Sequence, residues 1–260
     1  MFPEERKQKI YELVCDKKSI KVSELSRILN ISEVTIRRDL DELDSQNKLH
    51  RTHGGAVAAY AVGIPLHLRD LKSRNTEEKK KIAACAYNHI KDNDTILIDS
   101  SSTVHELLKL IITGGKKNLI IVTTSIVSLT TLNGNHNHKV IMVGGEVSYN
   151  AETVEGTIAN EFIKELRADK SFIGINGIDE KFGYSTPRFE DAEIKKSIIN
   201  SSLQSFILAD NTKFGKTYLA KVKASCDFVI TDSRRPGCQY DWLEDAGAIL
   251  FATQKPILQS

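Results

Sequence analysis

Apolar positions in the first 55 residues recur with the period of an α-helix. Three segments show this pattern, over about 3–15, 22–29 and 33–46. Their apolar stripes are Ile10, Leu13, Val14; Leu25, Ile28, Leu29; and Ile36, Leu40, Leu43. Residues at these spacings share one face of a helix. The pattern therefore predicts three amphipathic helices.

The third helix has predictable ends, and a hairpin follows it. Ser32 is placed as its N-cap, where the hydroxyl accepts a backbone N–H of the first turn. Asn47 is suited to the left-handed conformation that ends helices. The next stretch, "KLHRTHGGA", alternates in character and closes on Gly54-Gly55, where glycine relieves the backbone. We predict a short β-hairpin, or wing.

The pattern of apolar positions changes from residue 77 onwards. Helical segments alternate there with seven short apolar runs, at 95–99, 119–124, 139–145, 171–176, 205–210, 227–231 and 248–251. Continuous apolar strands indicate burial on both faces, and intervening helices indicate right-handed crossovers. The predicted fold is α/β, with a winged helix-turn-helix over 1–56, a linker over 57–75, and a doubly wound, mostly parallel α/β domain over 76–260.

Composition narrows the class of protein. The chain has 36 Lys and Arg against 34 Asp and Glu, so its positive charge must be clustered if it binds nucleic acid. No apolar run approaches the ~20 residues of a membrane span, and the charged N-terminus lacks a signal peptide's apolar core. The four cysteines form no zinc spacing, and neither Cys nor carboxylate accompanies His136 and His138. We expect a cytoplasmic protein with no membrane contact, no cofactor and no metal.

The third helix carries candidate DNA-contacting residues. Val34, Arg37 and Arg38 fall opposite its apolar stripe. A guanidinium can hold a guanine edge with two hydrogen bonds or grip a phosphate, and Val34 can contact a thymine methyl group. Ser32 and Thr35, at the helix start, suit phosphate oxygens. These features predict a recognition helix.

A structural interpretation competes with this one. Arg37 with Asp41 and Arg38 with Glu42 are i, i+4 pairs, each worth ~0.2–0.5 kcal/mol, and such pairs occur on any solvated helix. Periodicity alone leaves both interpretations open.

The predicted wing favours DNA binding, because it adds a second cationic element that can reach the DNA backbone. Its candidates are Lys48, Arg51 and His53, beside His50. The hypothesis depends on Lys48 and Arg51, since lone histidines are more often structural.

Polar residues follow the first predicted strand of the α/β domain. Asp99 and "SSST" precede the helical segment "VHELLKLI". Helix N-termini bind anions, and ligands of open α/β sheets bind at the carboxyl ends of strands. We predict that Ser101, Ser102 and Thr103 hold a phosphate and that Asp99 takes a sugar hydroxyl. Taken alone, the loop is better explained as an ordinary helix N-cap.

Other strand ends and one helix start support a ligand site at the same rim of the sheet. The further candidates are Thr124, Ser125, Asp191, Glu193, Asp210 and Lys213. Lys213 is the predicted counter-charge for the phosphate. Asp191 and Glu193 begin a helical segment with Glu190 and Lys195, and the helix dipole alone would also favour carboxylates there.

Both halves resemble one family. "VSELSRILNISEVTIRRDLDELDSQNKLHRTHGGA", from Val22 to Ala56, is similar to the "VSxxTIRRDL" recognition helix and "RxHGGA" wing of DeoR-type bacterial regulators. "DSSST", "VTTSI", "GGEVS", "VEG", "FIGINGID", "GYST", "DAEIKKSII" and "LADNTKFG" follow in the order of that family's sensor domain, which is similar to sugar-phosphate isomerases. The resemblance runs from about residue 4 to 252. It departs at Asn47, where the family usually has Gly, and at 99–103, where it commonly has Asp-x-Gly-Thr-Thr.

The resemblance implies a transcriptional regulator with a phosphorylated sugar as effector, with its phosphate loop at 101–103 and Lys213 as counter-charge. We expect a repressor of a carbohydrate-utilisation operon that binds double-stranded operator DNA as a homo-oligomer, dimer or tetramer, because repeated half-sites match oligomer symmetry. The alternative is a sugar-phosphate isomerase or deaminase with a DNA-binding appendage, in which Asp99, Asp191, Glu193 and Asp210 supply general-base chemistry. No histidine at a strand end supports that alternative.

Overall fold

The chain divides into two compact units, 1–70 and 71–260. The computed structural model describes residues 2–45, 48–58, 75–132, 137–149 and 151–252. The Asn47 cap, His136 and residues 59–74 of the linker predicted over 57–75 lie outside these described residues. The two units are described separately below.

The N-terminal unit contains the three predicted helices and the wing. Its elements are α1 (Pro3–Lys17), β1 (Ser19–Lys21), α2 (Val22–Leu29), α3 (Glu33–Ser45), β2 (Leu49–Thr52) and β3 (Gly55–Ala58). The strands form an antiparallel sheet in the order β1-β3-β2. Strand β1 was not predicted, because three residues with one apolar side chain give too short a pattern. Strand β3 runs two residues into the segment assigned to the linker.

The core of this unit follows most of the predicted stripes. Its buried members include Ile10, Val14, Leu25, Ile36, Leu40, Leu43 and Leu49. One prediction was wrong: Ile28 is 44% exposed, and Val22 is buried on α2 instead. Val22, Leu25 and Leu29, at i, i+3 and i+7, form the inner face, so Ile28 turns outward.

Gly55 and Gly54 differ in what their positions require. A Cβ on Gly55 would lie 2.0 Å from the carbonyl oxygen of Ile20 on β1, whereas a Cβ on Gly54 would meet nothing within 4 Å. Neither glycine has a positive φ. Gly55 is therefore required by the close approach of two strands, not by a left-handed backbone.

All seven predicted strands of the α/β domain form one parallel sheet. They are β4 (Thr95–Ile98), β5 (Ile120–Thr123), β6 (Lys139–Met142), β9 (Ala168–Gly174), β12 (Ser202–Leu208), β14 (Phe228–Thr231) and β15 (Ile249–Phe251). Their order is β15-β14-β12-β9-β4-β5-β6. The chain adds strands on one side of β4 and then crosses to add the rest on the other. The topological switch therefore lies between β4 and β9.

Helices cover both faces of this sheet. They are α4 (Thr76–Asn88), α5 (Ser102–Thr113), α6 (Ile126–Leu132), α7 (Thr157–Lys164), α8 (Phe189–Asn200) and α9 (Asp241–Glu244). Phe172 and Phe206 pack in one buried cluster with residues of α4 and α5, and Ile173 and Ile207 pack in the other with residues of α7 and α8. The side chains of neighbouring strand residues thus pack into the cores on opposite faces of the sheet, as expected of a doubly wound sheet.

Two antiparallel additions were not predicted. They are the hairpin β7 (Glu146–Ser148) with β8 (Thr153–Glu155), and a small sheet of β10 (Gly177–Asp179), β11 (Gly183–Thr186) and β13 (Ala220–Lys221). Strands of two to four residues are too short for a reliable periodic signal.

Candidate functional site

The first candidate surface is the solvent face of α3. Val34 is 78% exposed, and Arg37 and Arg38 are exposed beside it. The predicted N-cap is confirmed, because the backbone N–H of Thr35 donates to Ser32 Oγ at 3.3 Å. The Ser32 and Thr35 hydroxyls also lie 2.9 Å apart. The helix start therefore presents two hydroxyls and two cationic side chains.

The ion pairs on α3 differ from those predicted. Arg37 pairs with Glu33 at 2.9 Å and not with Asp41. Glu42 pairs with Lys7 at 2.7 Å and not with Arg38. No side chain in the described residues pairs with Arg38. Lys7 pairs with Glu42 and Arg51 pairs with Asp41. These tertiary contacts leave Arg38 available to an external anion.

The wing divides its cationic residues into two kinds. Lys48 and His53 are exposed. Arg51 has a side chain only 14% exposed, and its Nε donates to Asp41 Oδ1 at 2.8 Å. Asp44 lies beside the wing as well, with His50 Nδ1 3.7 Å from its carboxylate. The three predicted wing residues are thus close together, but only two of them face solvent.

The second candidate site lies at the carboxyl ends of β4 and β9, at the topological switch. Asp99 is buried there and accepts hydrogen bonds from the backbone N–H groups of Ser101 at 2.9 Å and Gly174 at 3.0 Å. Lys195 Nζ donates to Asp99 Oδ2 at 2.5 Å. The Asp99 carboxylate thus holds the loop, β9 and α8 together, and its predicted contact to a sugar hydroxyl stays a prediction.

Lys195 belongs to this site, although it was not among the predicted ligand-site residues. Its side chain is 5% exposed and lies 3.2 Å from Asp191 as well as bonding Asp99. Burial alone would lower the pKa of Lys195, but the charges of Asp191 and Asp99 raise it above its ordinary value. A signal was present in the sequence: Lys195 shares a helix face with the buried Ala192 and Ile198.

The predicted phosphate loop starts α5. Ser101 Oγ accepts from the backbone N–H of Val104 at 3.4 Å, so Ser101 is the N-cap, while Ser102 and Thr103 are buried. A Cβ on Gly174 would lie 2.3 Å from that of Ser101, so β9 needs glycine at this approach. The loop is therefore packed tightly against β9.

Thr124 and Ser125 follow β5, next to this loop. Ser125 Oγ accepts from the backbone N–H of Ser128 at 3.3 Å and so caps α6. Thr124 is 1% exposed, and its Oγ1 has no hydrogen-bond partner within the described part of the chain. A buried hydroxyl without a partner is costly and calls for an explanation.

Asp191 and Glu193 separate in the structure. Asp191 accepts from the Thr186 hydroxyl and from Lys195, so it belongs to the buried network. Glu193 is exposed and pairs with Lys196 at 3.3 Å on the solvent side of α8. Both were predicted as site residues, but only Asp191 lies beside Asp99 in the structure.

Asp210 and Lys213 lie at the end of β12. Asp210 is buried and accepts from Asn75 Nδ2 at 3.1 Å and from the backbone N–H of Thr212 at 3.1 Å. Burial alone would raise the pKa of Asp210, but the charge of Lys213 and the Thr212 hydroxyl lower it below its ordinary value. Only β9 separates β12 from β4 in the sheet, so the ends of these two strands are about 10 Å apart.

A half-buried ion pair at the rim was not predicted. Arg188, at the start of α8, donates to both carboxylate oxygens of Glu155, at 2.6 and 2.5 Å. It also reaches Ser148 Oγ at 3.4 Å. This pair joins the β7–β8 hairpin to α8.

None of the described helices is long and apolar enough to cross a membrane.

Comparison with known proteins identifies both units. Residues 6–61 match the DeoR-like helix-turn-helix domain, and residues 74–233 match the DeoR C terminal sensor domain. The chain is 34% identical over 249 residues to the HTH-type transcriptional regulator GolR of Listeria innocua, covering 95% of this chain and 97% of GolR. It is 31% identical over 235 residues to the glycerol-3-phosphate regulon repressor of Escherichia coli K12, covering 89% and 92%.

One solved structure is similar only at a distance. Ribose 5-phosphate isomerase A from Methanocaldococcus jannaschii aligns over 54% of each chain, with a TM-score of 0.38 and 14% identity.

A helix-turn-helix unit joined to an α/β sensor unit defines a DNA-binding transcriptional regulator. The chain belongs to the DeoR family, which confirms the resemblance found in its sequence.

Proposed function

We propose that this protein represses a carbohydrate-utilisation operon, and that a phosphorylated sugar bound to the sensor unit changes its affinity for operator DNA. The names of relatives support the class of target, since one of them is a glycerol-3-phosphate regulon repressor and another a lactose phosphotransferase system repressor. The protein is cytoplasmic and acts as a homo-oligomer, because the paired half-sites of operator DNA match the symmetry of an oligomer.

The DNA contacts come from the exposed face of α3 and the wing. Arg38 is the principal base or phosphate contact, because it is exposed and no described side chain competes for it. Val34 offers an exposed apolar surface to a thymine methyl group. Ser32, Thr35 and Lys48 contact phosphates, and Arg37 joins them by exchanging Glu33 for DNA.

The effector site spans the rim from the 101–103 loop to Lys213. The observation that carries this proposal is Thr124 Oγ1, a buried hydroxyl without a partner beside the N-terminus of α5. The free N–H groups of that helix start favour an anion, and a ligand oxygen would give Thr124 its missing hydrogen bond. Lys213, on the other side of β9, supplies the counter-charge for the phosphate.

The geometry favours binding over catalysis. A general base needs a carboxylate that can accept a substrate proton. Asp99 and Asp191 are both bonded to Lys195, Asp210 is bonded to Asn75 and Thr212, and Glu193 faces solvent. Asp99, Asp191 and Asp210 thus serve the structure of the rim and Glu193 lies outside it, which supports the regulator over the isomerase or deaminase.

A crossed pair of variants tests both sites, with a separate assay for each. Arg38→Ala should weaken binding to an operator duplex by at least ~1 kcal/mol at fixed salt, while sugar-phosphate stabilisation of the sensor unit stays intact. Lys213→Ala should bind DNA normally and lose the response to the sugar phosphate. Gel shifts measure the first property. Thermal shifts against a panel of sugar phosphates, each paired with its unphosphorylated sugar, measure the second.

Matched controls are available on exposed helix faces. Lys9→Ala on α1 and Lys196→Ala on α8 remove comparable charges away from either site. Unchanged operator binding by Arg38→Ala would refute the DNA contact. A normal effector response by Lys213→Ala would refute the ligand site, whatever the first result.

A further inference from the structure

Arg51 bonds both α3 and β3 inside the N-terminal unit. Its backbone N–H donates to Asp44 Oδ1 at 3.2 Å and its Nε to Asp41 Oδ1 at 2.8 Å, so it ties β2 to α3 at two points. Its Nη1 donates to the carbonyl of Gly55 at 3.3 Å, across the wing turn. One side chain therefore joins the recognition helix to both strands of the wing.

We propose that Arg51 is a positioning residue that locks the wing onto α3 and neutralises Asp41, and that it does not itself contact DNA. This inference rests on the proposed DNA-binding function. It replaces our prediction that Arg51 acts as a phosphate contact, and it leaves Lys48 as the wing's phosphate contact.

The charge pattern of α3 explains why such a residue is needed. The Asp41 side chain is 65% exposed and lies four residues after Arg37 and three after Arg38, so it shares their face. An unpaired carboxylate there would repel DNA phosphates. The Arg51 guanidinium cancels that charge at hydrogen-bonding distance, so the DNA-facing surface keeps its positive character.

Packing explains why the bond to Gly55 fixes the wing. Gly55 lies against the backbone of Ile20 on β1 so closely that no Cβ fits. The Gly55 carbonyl therefore belongs to a strand held in place by the rest of the unit. Arg51 connects that strand to α3, and the short turn at 53–54 between β2 and β3 takes its position from both.

Salt dependence separates positioning from contact, because each lost phosphate contact reduces the slope of log affinity against log salt by roughly 0.9. The full-length protein is tested on a duplex selected from a random-sequence pool with the wild-type chain. We expect Arg51→Ala to lose about tenfold in affinity, the size of one charge-assisted hydrogen bond, with an unchanged slope. Lys48→Ala should lower the slope.

A double-mutant cycle and a conservative variant complete the test. Asp41→Asn should also weaken binding, and Asp41→Asn with Arg51→Ala should be no weaker than Arg51→Ala alone, because both changes break one link. Arg51→Lys keeps the charge that neutralises Asp41 but loses the forked geometry that also reaches the Gly55 carbonyl, so its affinity should fall between those of the wild type and Arg51→Ala. Circular dichroism and the melting temperature of each variant report whether the unit is folded.

Opposite results would overturn the inference. A reduced slope for Arg51→Ala, wild-type affinity for Arg51→Lys, or tighter binding by Asp41→Asn would each identify Arg51 as a direct phosphate contact. Failure of the wild-type chain to enrich any duplex would instead refute the proposed DNA-binding function itself.

Discussion

Replacing Lys195 by Met tests whether the buried charge network holds the sensor unit together. The change keeps the length of the apolar stem and removes the ammonium group that bonds Asp99 and approaches Asp191. Removing one partner of a buried ion pair costs ~3–5 kcal/mol, because the other charge stays buried without compensation. Asp191 is 23% exposed and Asp99 keeps two backbone N–H donors. We therefore expect the lower end, about 3 kcal/mol.

Fluorescence of Trp242 during urea unfolding measures this loss. Trp242 is the single tryptophan of the chain and lies on α9, so it reports on the sensor unit alone. The neighbouring Lys196→Ala is a matched control, because its exposed pair with Glu193 is worth only ~0.2–0.5 kcal/mol. Both variants remove one lysine charge, so the difference between their free energies of unfolding measures the effect of burying that charge.

The pH dependence of this difference follows from the direction of the pKa shift. The pKa of Lys195 is raised in the folded state, so its stabilisation is fully present below the unfolded value of ~10.4 and is lost only as pH rises through the higher folded value. The gap between wild type and Lys195→Met should be constant between about pH 6 and pH 9.

A second substitution tests the coupling. Asp99→Asn combined with Lys195→Met removes both charges, and it should cost less than the sum of the single changes by about 1–3 kcal/mol. The reasoning would be refuted if Lys195→Met cost no more than Lys196→Ala, or if the two changes at 99 and 195 were additive.

Two further predictions concern packing and acid stability. Gly55→Ala should strongly lower the melting temperature of the N-terminal unit, because its Cβ would lie 2.0 Å from the Ile20 carbonyl oxygen, whereas Gly54→Ala meets open space and should be nearly neutral; equal melting temperatures would contradict the strand-approach argument. The pKa of Asp210 is lowered by Lys213, so its stabilisation is present above the unfolded value of ~3.9 and is lost as pH falls through the folded value. Urea unfolding of Asp210→Asn should show a shallower loss of stability below about pH 4 than wild type, and parallel curves would refute that role.

Periodicity was sufficient for most of the architecture. Ile36, Leu40 and Leu43 were assigned to the core of α3 because helical spacing places them on one face, and all three are buried. Seven apolar runs predicted seven parallel strands, because a strand buried on both faces has no polar alternation. The pattern failed where elements were short, as in β1 and β7, and at Ile28, where spacing allowed two faces.

Residue identity at strand ends predicted the place of the ligand site, but not the role of each side chain. Asp99 and Lys195 are 96 residues apart in the chain and bond only because β4 and α8 meet at the rim. The motif that contains Lys195 was recognised, yet its burial was not. The burial of a lysine can be predicted when it lies on an apolar helix face, but its ion-pair partner cannot be predicted without the tertiary structure.

The recognition surface shows the same division. The outward direction of Val34, Arg37 and Arg38 follows from the helical repeat, and the Ser32 cap follows from local chemistry, so the sequence by itself determined both. Tertiary structure alone decided which cations are available. It gave Arg51 to Asp41 and left Arg38 without a partner in the described residues. Local geometry depends on nearest neighbours in the chain, whereas an ion pair depends on which distant charges the packed core brings within about 4 Å.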